Sequence, residues 1–118
     1  MRLGILLIIL ATLLGGIGQL FFKYASTSVT GSKLVTILQQ IIFNKNTIIG
    51  VVLYGLATIL YIYALKHEEL STLAPLIALS YLWATLFGII VLGEQATITK
   101  LLGLFLIIVG AALVISKP

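Results

Sequence analysis

The chain of 118 residues contains no cysteine and very little charge. Without cysteine it can form neither a disulfide framework nor a thiolate site, and cysteine usage gives no information on the redox compartment of the protein. Charged residues make up 8% of the chain and apolar residues 61%, whereas soluble domains have about 25% and about 45–50%. A chain so poor in charge cannot cover a surface that faces water. The composition therefore argues against a cytosolic enzyme, a disordered tail and a fibrous repeat.

The positive charge does not form a nucleic-acid site. The net charge is +4, from seven Lys and Arg residues against three acidic ones, and the bases are scattered without a run. Bases that flank apolar segments are instead typical of membrane proteins. The mean hydropathy of +1.27 agrees with this interpretation, and no nucleic-acid partner is expected.

Four apolar segments are long enough to cross a bilayer, whose core of about 30 Å needs roughly 20 residues of helix. Segments such as 104–109 are apolar on every side, unlike barrel strands, which alternate. The first segment is too long for a signal peptide and no clear cleavage site follows it. We therefore predict an all-α, multi-pass membrane bundle, with residues 1–118 as a single domain. The expected helices are about 3–23, 47–65, 73–92 and 98–116.

The longest link between spans carries a short amphipathic segment. Within residues 33–43, Leu34, Leu38 and Ile41 are among the apolar residues at helical spacing, with polar residues opposite them. This segment is too short to span the membrane. It is either a helix that lies on the membrane interface or an extension of the second span that bends near residues 44–46.

The flanking bases do not fix the orientation. Four spans put both termini on one side, and the bases on the two sides are nearly equal in number. They divide into Arg2, Lys66 and Lys117 on the side of the termini, and Lys23, Lys33, Lys45 and Lys100 on the other.

No Asp, Glu, Lys, Arg or His lies in the middle of any predicted span. Mid-membrane charges mark ion pathways and proton relays, so their absence weakens any mechanism that needs an embedded carboxylate. It also removes metal sites and acid–base pairs, and we predict neither an enzyme nor a cofactor. Glu94, after Gly93, ends the third span, where a solvated position is expected.

Neutral polar residues in the first two spans indicate a binding cavity. Gln19 and Lys23 are four residues apart and share a helical face, next to glycines that permit close approach. Tyr54, Thr58 and Tyr61 form a stripe of hydroxyls in the second span. The alternatives are that Gln19 only packs between helices and that Lys23 only reaches the lipid phosphates.

The last two spans contribute further candidates. Pro75 frees a backbone carbonyl and loosens the third span, and Ser80 and Trp83 share a face beyond it. In the fourth span, Gly103 and Gly110 are seven residues apart, which puts them on one face. A face of small residues is typical of helix packing in membranes, either within the bundle or with another subunit.

Two segments resemble known transporters. Residues 103–111 resemble the last helix of small multidrug resistance transporters, a G-x-x-L-I-x-x-G pattern used for dimerisation. The residues from Pro75 to Gly103 resemble the EamA half of the wider drug/metabolite transporter superfamily. The embedded glutamate of the multidrug exporters would fall at Gly15, and their helix-three aromatic pair at Pro75 and Ala78. Only Tyr54 matches their site, if the loop after Leu65 carries one extra residue.

The segment Gly18–Ala25 is similar to the G-Q-L-x-x-K-x-A segment of the small subunits that flip undecaprenyl-phosphate aminoarabinose. Those subunits also lack the embedded glutamate and have a similar Leu79-Ser80…Trp83 segment. The resemblance implies a transporter of the inner (plasma) membrane that moves a polyprenyl-phosphate-linked sugar or a related amphiphile. A homodimer, or a heterodimer with a paralogue, is expected, because four helices are few for a sealed pathway. The predicted substrate-binding residues are Gln19, Lys23, Tyr54, Thr58, Tyr61, Ser80 and Trp83.

Two other functions stay open. One is a proton-coupled exporter of small cations, for which only Glu94 can serve as the carboxylate. The other is an accessory membrane subunit that transports nothing and modifies an enzyme or a larger carrier.

Overall fold

The computed structural model describes residues 2–116 and is built from helices. Within that range no strand is present, which confirms the all-α fold class. The elements in chain order are α1 (Leu3–Ser26), α2 (Leu34–Ile42), α3 (Lys45–Leu65), α4 (Leu70–Leu76), α5 (Leu79–Ile90) and α6 (Ile98–Ile115). Lys117, one of the bases in the orientation count, lies outside the described residues.

In the described part of the chain, four helical segments are long and apolar enough to cross a membrane: Leu3–Ser26, Lys45–Leu65, Leu70–Ile90 and Ile98–Ile115. The second of these begins two residues earlier than expected because Asn44 caps it. The Asn44 Oδ1 atom accepts a hydrogen bond from the Asn46 N–H at 2.8 Å, which satisfies one of the unpaired donors of the first turn. Thr97 caps α6 in the same way, through the Lys100 N–H at 3.2 Å.

The third span is not continuous, since a turn at Ile77 and Ala78 separates α4 from α5. Pro75 has no N–H and cannot donate to the carbonyl one turn before it. The chain then tightens: the N–H groups of Ile77 and Ala78 donate to the carbonyls three residues earlier, at 3.2 and 3.1 Å. Counted across this turn, the third span runs from Leu70 to Ile90, so the break lies inside the span.

The central helix is α1, which packs between α3 and α5. Its buried face consists almost entirely of small residues, which let neighbouring backbones approach closely. At Gly18 an added Cβ would lie 3.2 Å from the Gly50 carbonyl oxygen, and the reverse distance is 3.0 Å. Any side chain at either glycine would push α1 and α3 apart.

The apolar core lies at the end of the bundle that holds the termini. Ile8, Ala64, Leu73 and Leu76 are at most 2% exposed there, and side chains from the end of α6 pack against them. Beside this core the Arg2 guanidinium pairs with the Glu68 carboxylate. Arg2 also donates from Nη1 to the Ile115 carbonyl at 2.9 Å. Through these two contacts Arg2 joins the start of α1, the α3–α4 loop and the end of α6.

The outermost span is α6, of which only Leu104 is buried. Gly103 and Gly110 are exposed, and within residues 2–116 no atom comes within 4 Å of a Cβ added at either. Their face does not pack inside this bundle. Its use between subunits stays a prediction.

The amphipathic segment forms a helix of its own, α2, separated from α3 by Phe43 and Asn44. Gln40 holds it to the preceding loop, donating to the Thr30 carbonyl at 2.7 Å and accepting from the Thr30 N–H at 2.9 Å. None of its residues is buried. The segment is thus a surface helix of its own in the structure, and its position on the membrane interface stays a prediction.

Candidate functional site

A cavity of about 300 Å³ lies between α1, α3 and the break between α4 and α5. Four of the seven predicted binding residues contribute to its wall: Tyr54, Thr58, Tyr61 and Ser80. Its other lining residues are Ile8, Ala11, Thr12, Gly15, Ala57, Ile77 and Tyr81. The structure therefore brings the hydroxyl stripe of the second span to the same space as the serine of the third.

The α3 wall follows from helical spacing. Tyr54, Thr58 and Tyr61 lie at i, i+4 and i+7, so they project from one face, and the small side chain of Ala57 leaves room beside them. The Thr58 hydroxyl donates to the Tyr54 carbonyl at 2.8 Å, and its oxygen keeps acceptor capacity for a ligand. The two tyrosines supply both ring faces and hydroxyls.

Tyr54 is held in place from two sides. Gln19 donates from Nε2 to the Tyr54 hydroxyl oxygen at 2.9 Å, and the Phe22 ring stacks on the Tyr54 ring with centroids 5.4 Å apart. Gln19 thus bonds two helices, as its packing alternative expects, and it does so at an exposed edge of the cavity. The contact gives the amide a structural role and leaves its binding role a prediction.

Trp83 lies behind the cavity wall instead of lining it. Its indole Nε1 donates to the Thr12 hydroxyl oxygen at 3.3 Å, while the Thr12 hydroxyl donates to the Ile9 carbonyl at 2.8 Å. Close packing explains this position, because a Cβ added at Gly16 would lie 2.6 Å from the Trp83 Cβ. Trp83 therefore positions a hydroxyl of the wall.

Sequence reasoning missed Thr12, which is 4% exposed and lines the cavity. A signal for it existed, because Thr12 is the only hydroxyl residue between Leu3 and Phe22. It also lies three and seven residues before Gly15 and Gln19, on the same helical face. Tyr81, at the start of α5, was missed as well.

Lys23 does not reach this cavity. It is exposed in the last turns of α1, four residues beyond Gln19, and it is not among the lining residues. If it binds a phosphate, that phosphate lies outside the cavity, towards the membrane surface.

No charged side chain of the described residues 2–116 lines the cavity. Gly15 occupies the wall where the multidrug exporters would place their glutamate, and a Cβ added there would lie 3.9 Å from the Ser80 Cβ. Glu94 is exposed in the α5–α6 loop and borders a different crevice, together with Lys100. Chemically, the cavity offers neutral hydrogen-bonding groups and aromatic faces.

Comparison with known proteins identifies relatives among transporters. A profile of the EamA-like transporter family matches residues 39–116. The chain is also similar to a protein of Yersinia enterocolitica named as a probable 4-amino-4-deoxy-L-arabinose-phosphoundecaprenol flippase subunit ArnF. The two are 30% identical over 109 residues, which cover 86% of this chain and 85% of that protein. No solved structure gives a significant match. Both similarities point to a transporter and not to an enzyme.

Proposed function

Because the chain belongs to the EamA-like transporter family, we propose that this multi-pass membrane protein moves a lipid-linked sugar, or a related amphiphile, across the inner membrane. The observation that carries the proposal is the uncharged cavity between the spans, which is lined by six side chains with hydroxyl groups. The name of the Yersinia relative supports a lipid-linked amino sugar as the substrate.

To move an amphiphile, the protein has to provide a path for the polar head only. An amphiphile keeps its hydrocarbon tail in the lipid, so the protein has only to shelter the polar head. A sugar carries several hydroxyls that lose their water on entering the bilayer, and each unpaired one is costly. Tyr54, Thr58, Tyr61 and Ser80 replace those water contacts with neutral hydrogen bonds, and Gln19 extends them to the edge of the cavity.

Lys23 has a separate role in this proposal. Its ammonium group, exposed beyond Gln19, pairs with the phosphate of the substrate at the membrane surface through a charge-assisted hydrogen bond. The exposed position agrees with this role, because such a lysine meets the phosphate without being desolvated. The simpler alternative is a lysine that contacts any lipid headgroup.

The transporter works as a homodimer or as a heterodimer with a paralogue in this proposal. Support comes from the word "subunit" in the relative's name and from the exposed small-residue face of α6 at Gly103 and Gly110. Replacing both glycines by Leu should disrupt assembly, whereas Gly55→Leu is the matched control, since Gly55 on α3 is equally exposed and free of contacts. A dimer that survives the double substitution in detergent and in bilayers excludes this face.

Translocation in vesicles tests the proposal. The purified protein is reconstituted with a polyprenyl-phosphate-linked amino sugar, and the head that appears on the far side is measured. Lys23→Ala should weaken substrate binding about 5- to 150-fold, because the loss of one charge-assisted hydrogen bond costs about 1–3 kcal/mol. Gln19→Leu should weaken substrate binding too. Lys66→Ala, on the other side of the membrane, is the control.

Two outcomes would change the proposal. If Lys23→Ala binds the substrate as well as the parent does, Lys23 is not part of the site. If the protein translocates no substrate, either alone or together with a paralogue, an accessory subunit is favoured.

Coupling to protons is tested at Glu94. The carboxylate lies outside the cavity, so Glu94→Gln should leave translocation largely intact. If a normally folded Glu94→Gln protein lost transport at every pH, the proton-coupled cation exporter would be favoured instead.

A further inference from the structure

A second, more apolar groove lies beside the cavity, between the end of α1, the start of α3 and α2. Its volume of about 650 Å³ is within the range of roughly 300–1,000 Å³ that is typical of sites for small molecules. Most of its lining is hydrocarbon or aromatic, and the lining residues are Phe22, Ala25, Ser26, Val29, Ile41, Thr47 and Val51. Such a lining suits a hydrocarbon chain.

One polar atom in this groove has no partner. The Thr47 Oγ1 atom is buried and makes no hydrogen bond within the described residues 2–116. A buried hydroxyl without a partner costs about 1–3 kcal/mol and calls for an explanation. Rotation of the Thr47 side chain would turn this hydroxyl into the groove, where a ligand with an acceptor oxygen near the first turn of α3 would provide the missing bond.

The helices that line the groove carry charge of one sign. The close contacts of Gly4 with Ala64 and of Gly18 with Gly50 define the antiparallel register of α1 and α3. The same register puts Lys23 level with Lys45, both exposed. The helices α1, α2 and α3 contain no acidic residue, and Glu94, in the α5–α6 loop at the same end of the bundle, does not line the groove. The two lysines therefore give this part of the protein a positive charge that would attract a lipid phosphate.

The groove and the cavity share a wall. Phe22 lines the groove and Tyr54 lines the cavity, and their rings stack on each other. A molecule whose head occupies the cavity and whose chain occupies the groove would therefore pass its linking phosphate along this aromatic pair, at the end where the lysines lie.

We infer that the groove between α1, α2 and α3 binds the isoprenoid chain of the lipid-linked substrate, with Lys23, Lys45 and the Thr47 hydroxyl at its phosphate. This site rests on the proposed function, since it assigns to the groove the chain of the molecule whose head enters the cavity. A phospholipid of the surrounding bilayer also carries a phosphate, but it has no sugar to place in the cavity beyond the shared wall.

Photo-crosslinking tests the site. The probe is a polyprenyl phosphate without a sugar, carrying a photoactivatable group in the chain close to the phosphate, added to the full-length protein in phosphatidylcholine vesicles. Labelling of α1, α2 and α3 around the groove is expected, and Val51→Trp should reduce it at least fivefold by filling the groove. Val52→Trp is the matched control, because Val52 is also 57% exposed but does not line the groove.

The hydroxyl is tested separately. Thr47→Val keeps the shape of the side chain and removes the donor, so it should weaken binding of the polyprenyl phosphate roughly tenfold. Binding of the corresponding polyprenol, which lacks the phosphate, should not change. Equal effects on both compounds, or none on either, would contradict a phosphate at Thr47.

The outcomes separate this inference from the proposed function. The groove assignment is overturned if Val51→Trp does not reduce the labelling, or if excess phosphatidylglycerol competes with the probe as well as polyprenyl phosphate does. Either result counts even if translocation of the sugar lipid is normal. Translocation that fails while the groove is labelled selectively leaves the chain site standing and overturns the flippase proposal.

Discussion

The two ends of the bundle are built differently. At the end with the termini, Ile8, Leu73 and Leu76 are almost fully buried, and Arg2 joins three segments through its ion pair with Glu68 and its hydrogen bond to α6. At the end with the first loop, α2 has no buried residue and leaves an apolar groove open beside it. The cavity lies between them. The difference indicates that stability is concentrated at one end, which leaves the other free to admit a ligand.

The largest effect is expected from a substitution that removes packing at the end with the termini. Leu73→Ala should lower the free energy of unfolding by about 2–5 kcal/mol, because it deletes a fully buried side chain and leaves a cavity. Leu38→Ala on α2, where the leucine is 46% exposed, should change it by less than about 0.5 kcal/mol. Unfolding of the purified protein by denaturing detergent measures both, and equal losses would contradict the contrast between the ends.

Two neighbouring glycines sharpen the boundary between packed wall and cavity. Gly16→Ala should cost about 1–3 kcal/mol, because the new methyl group would clash with the Trp83 Cβ. Gly15→Ala meets only an ordinary contact with Ser80 and should be neutral or stabilising, since Ala favours the helix by about 1 kcal/mol. The same unfolding assay compares them, and the reverse order would mean that the cavity wall is misplaced.

The ion pair is the smallest of the three tests. Glu68→Gln should lower the free energy of unfolding by about 1–2 kcal/mol, between the values for surface and buried pairs, since the Arg2 side chain is 35% exposed and that of Glu68 is 14% exposed. Glu69→Gln is the control, because Glu69 lies next to Glu68 but makes no ion pair within residues 2–116. Exchanging the charges, with Arg2→Glu and Glu68→Arg together, should recover part of the loss, and no recovery would show that the pairing itself contributes little.

Periodicity and length predicted the helical spans well, because each span has to satisfy its own backbone in lipid. The stripe Tyr54, Thr58 and Tyr61 was predictable for the same reason, since helical spacing alone puts those side chains on one face. The second span starts two residues earlier than predicted because of the Asn44 cap, a local hydrogen bond that only the structure places. Thr97 caps α6 at the predicted start.

Other features depend on packing between distant segments and were beyond sequence reasoning. Pro75 signalled a weakness in the third span, but the proline alone does not say which residues form the break, and the structure places it at Ile77–Ala78. Trp83 was expected to face the ligand, yet the absence of a side chain at Gly16 lets it approach α1 and bond Thr12. Lys23 and Lys45 are 22 positions apart in the sequence, so their common level follows only from the register of α1 and α3.

The measurement that tests the central claim most directly is translocation of the lipid-linked amino sugar by proteins whose cavity is blocked. Thr58→Trp puts a large ring into the cavity, whereas Ile59→Trp puts the same ring on the adjacent position, where the isoleucine is 65% exposed and does not line the cavity. With equal amounts of folded protein in the vesicles, Thr58→Trp should abolish translocation and Ile59→Trp should keep the rate of the parent. Unimpaired translocation by Thr58→Trp would contradict the claim that the polar head crosses through this cavity.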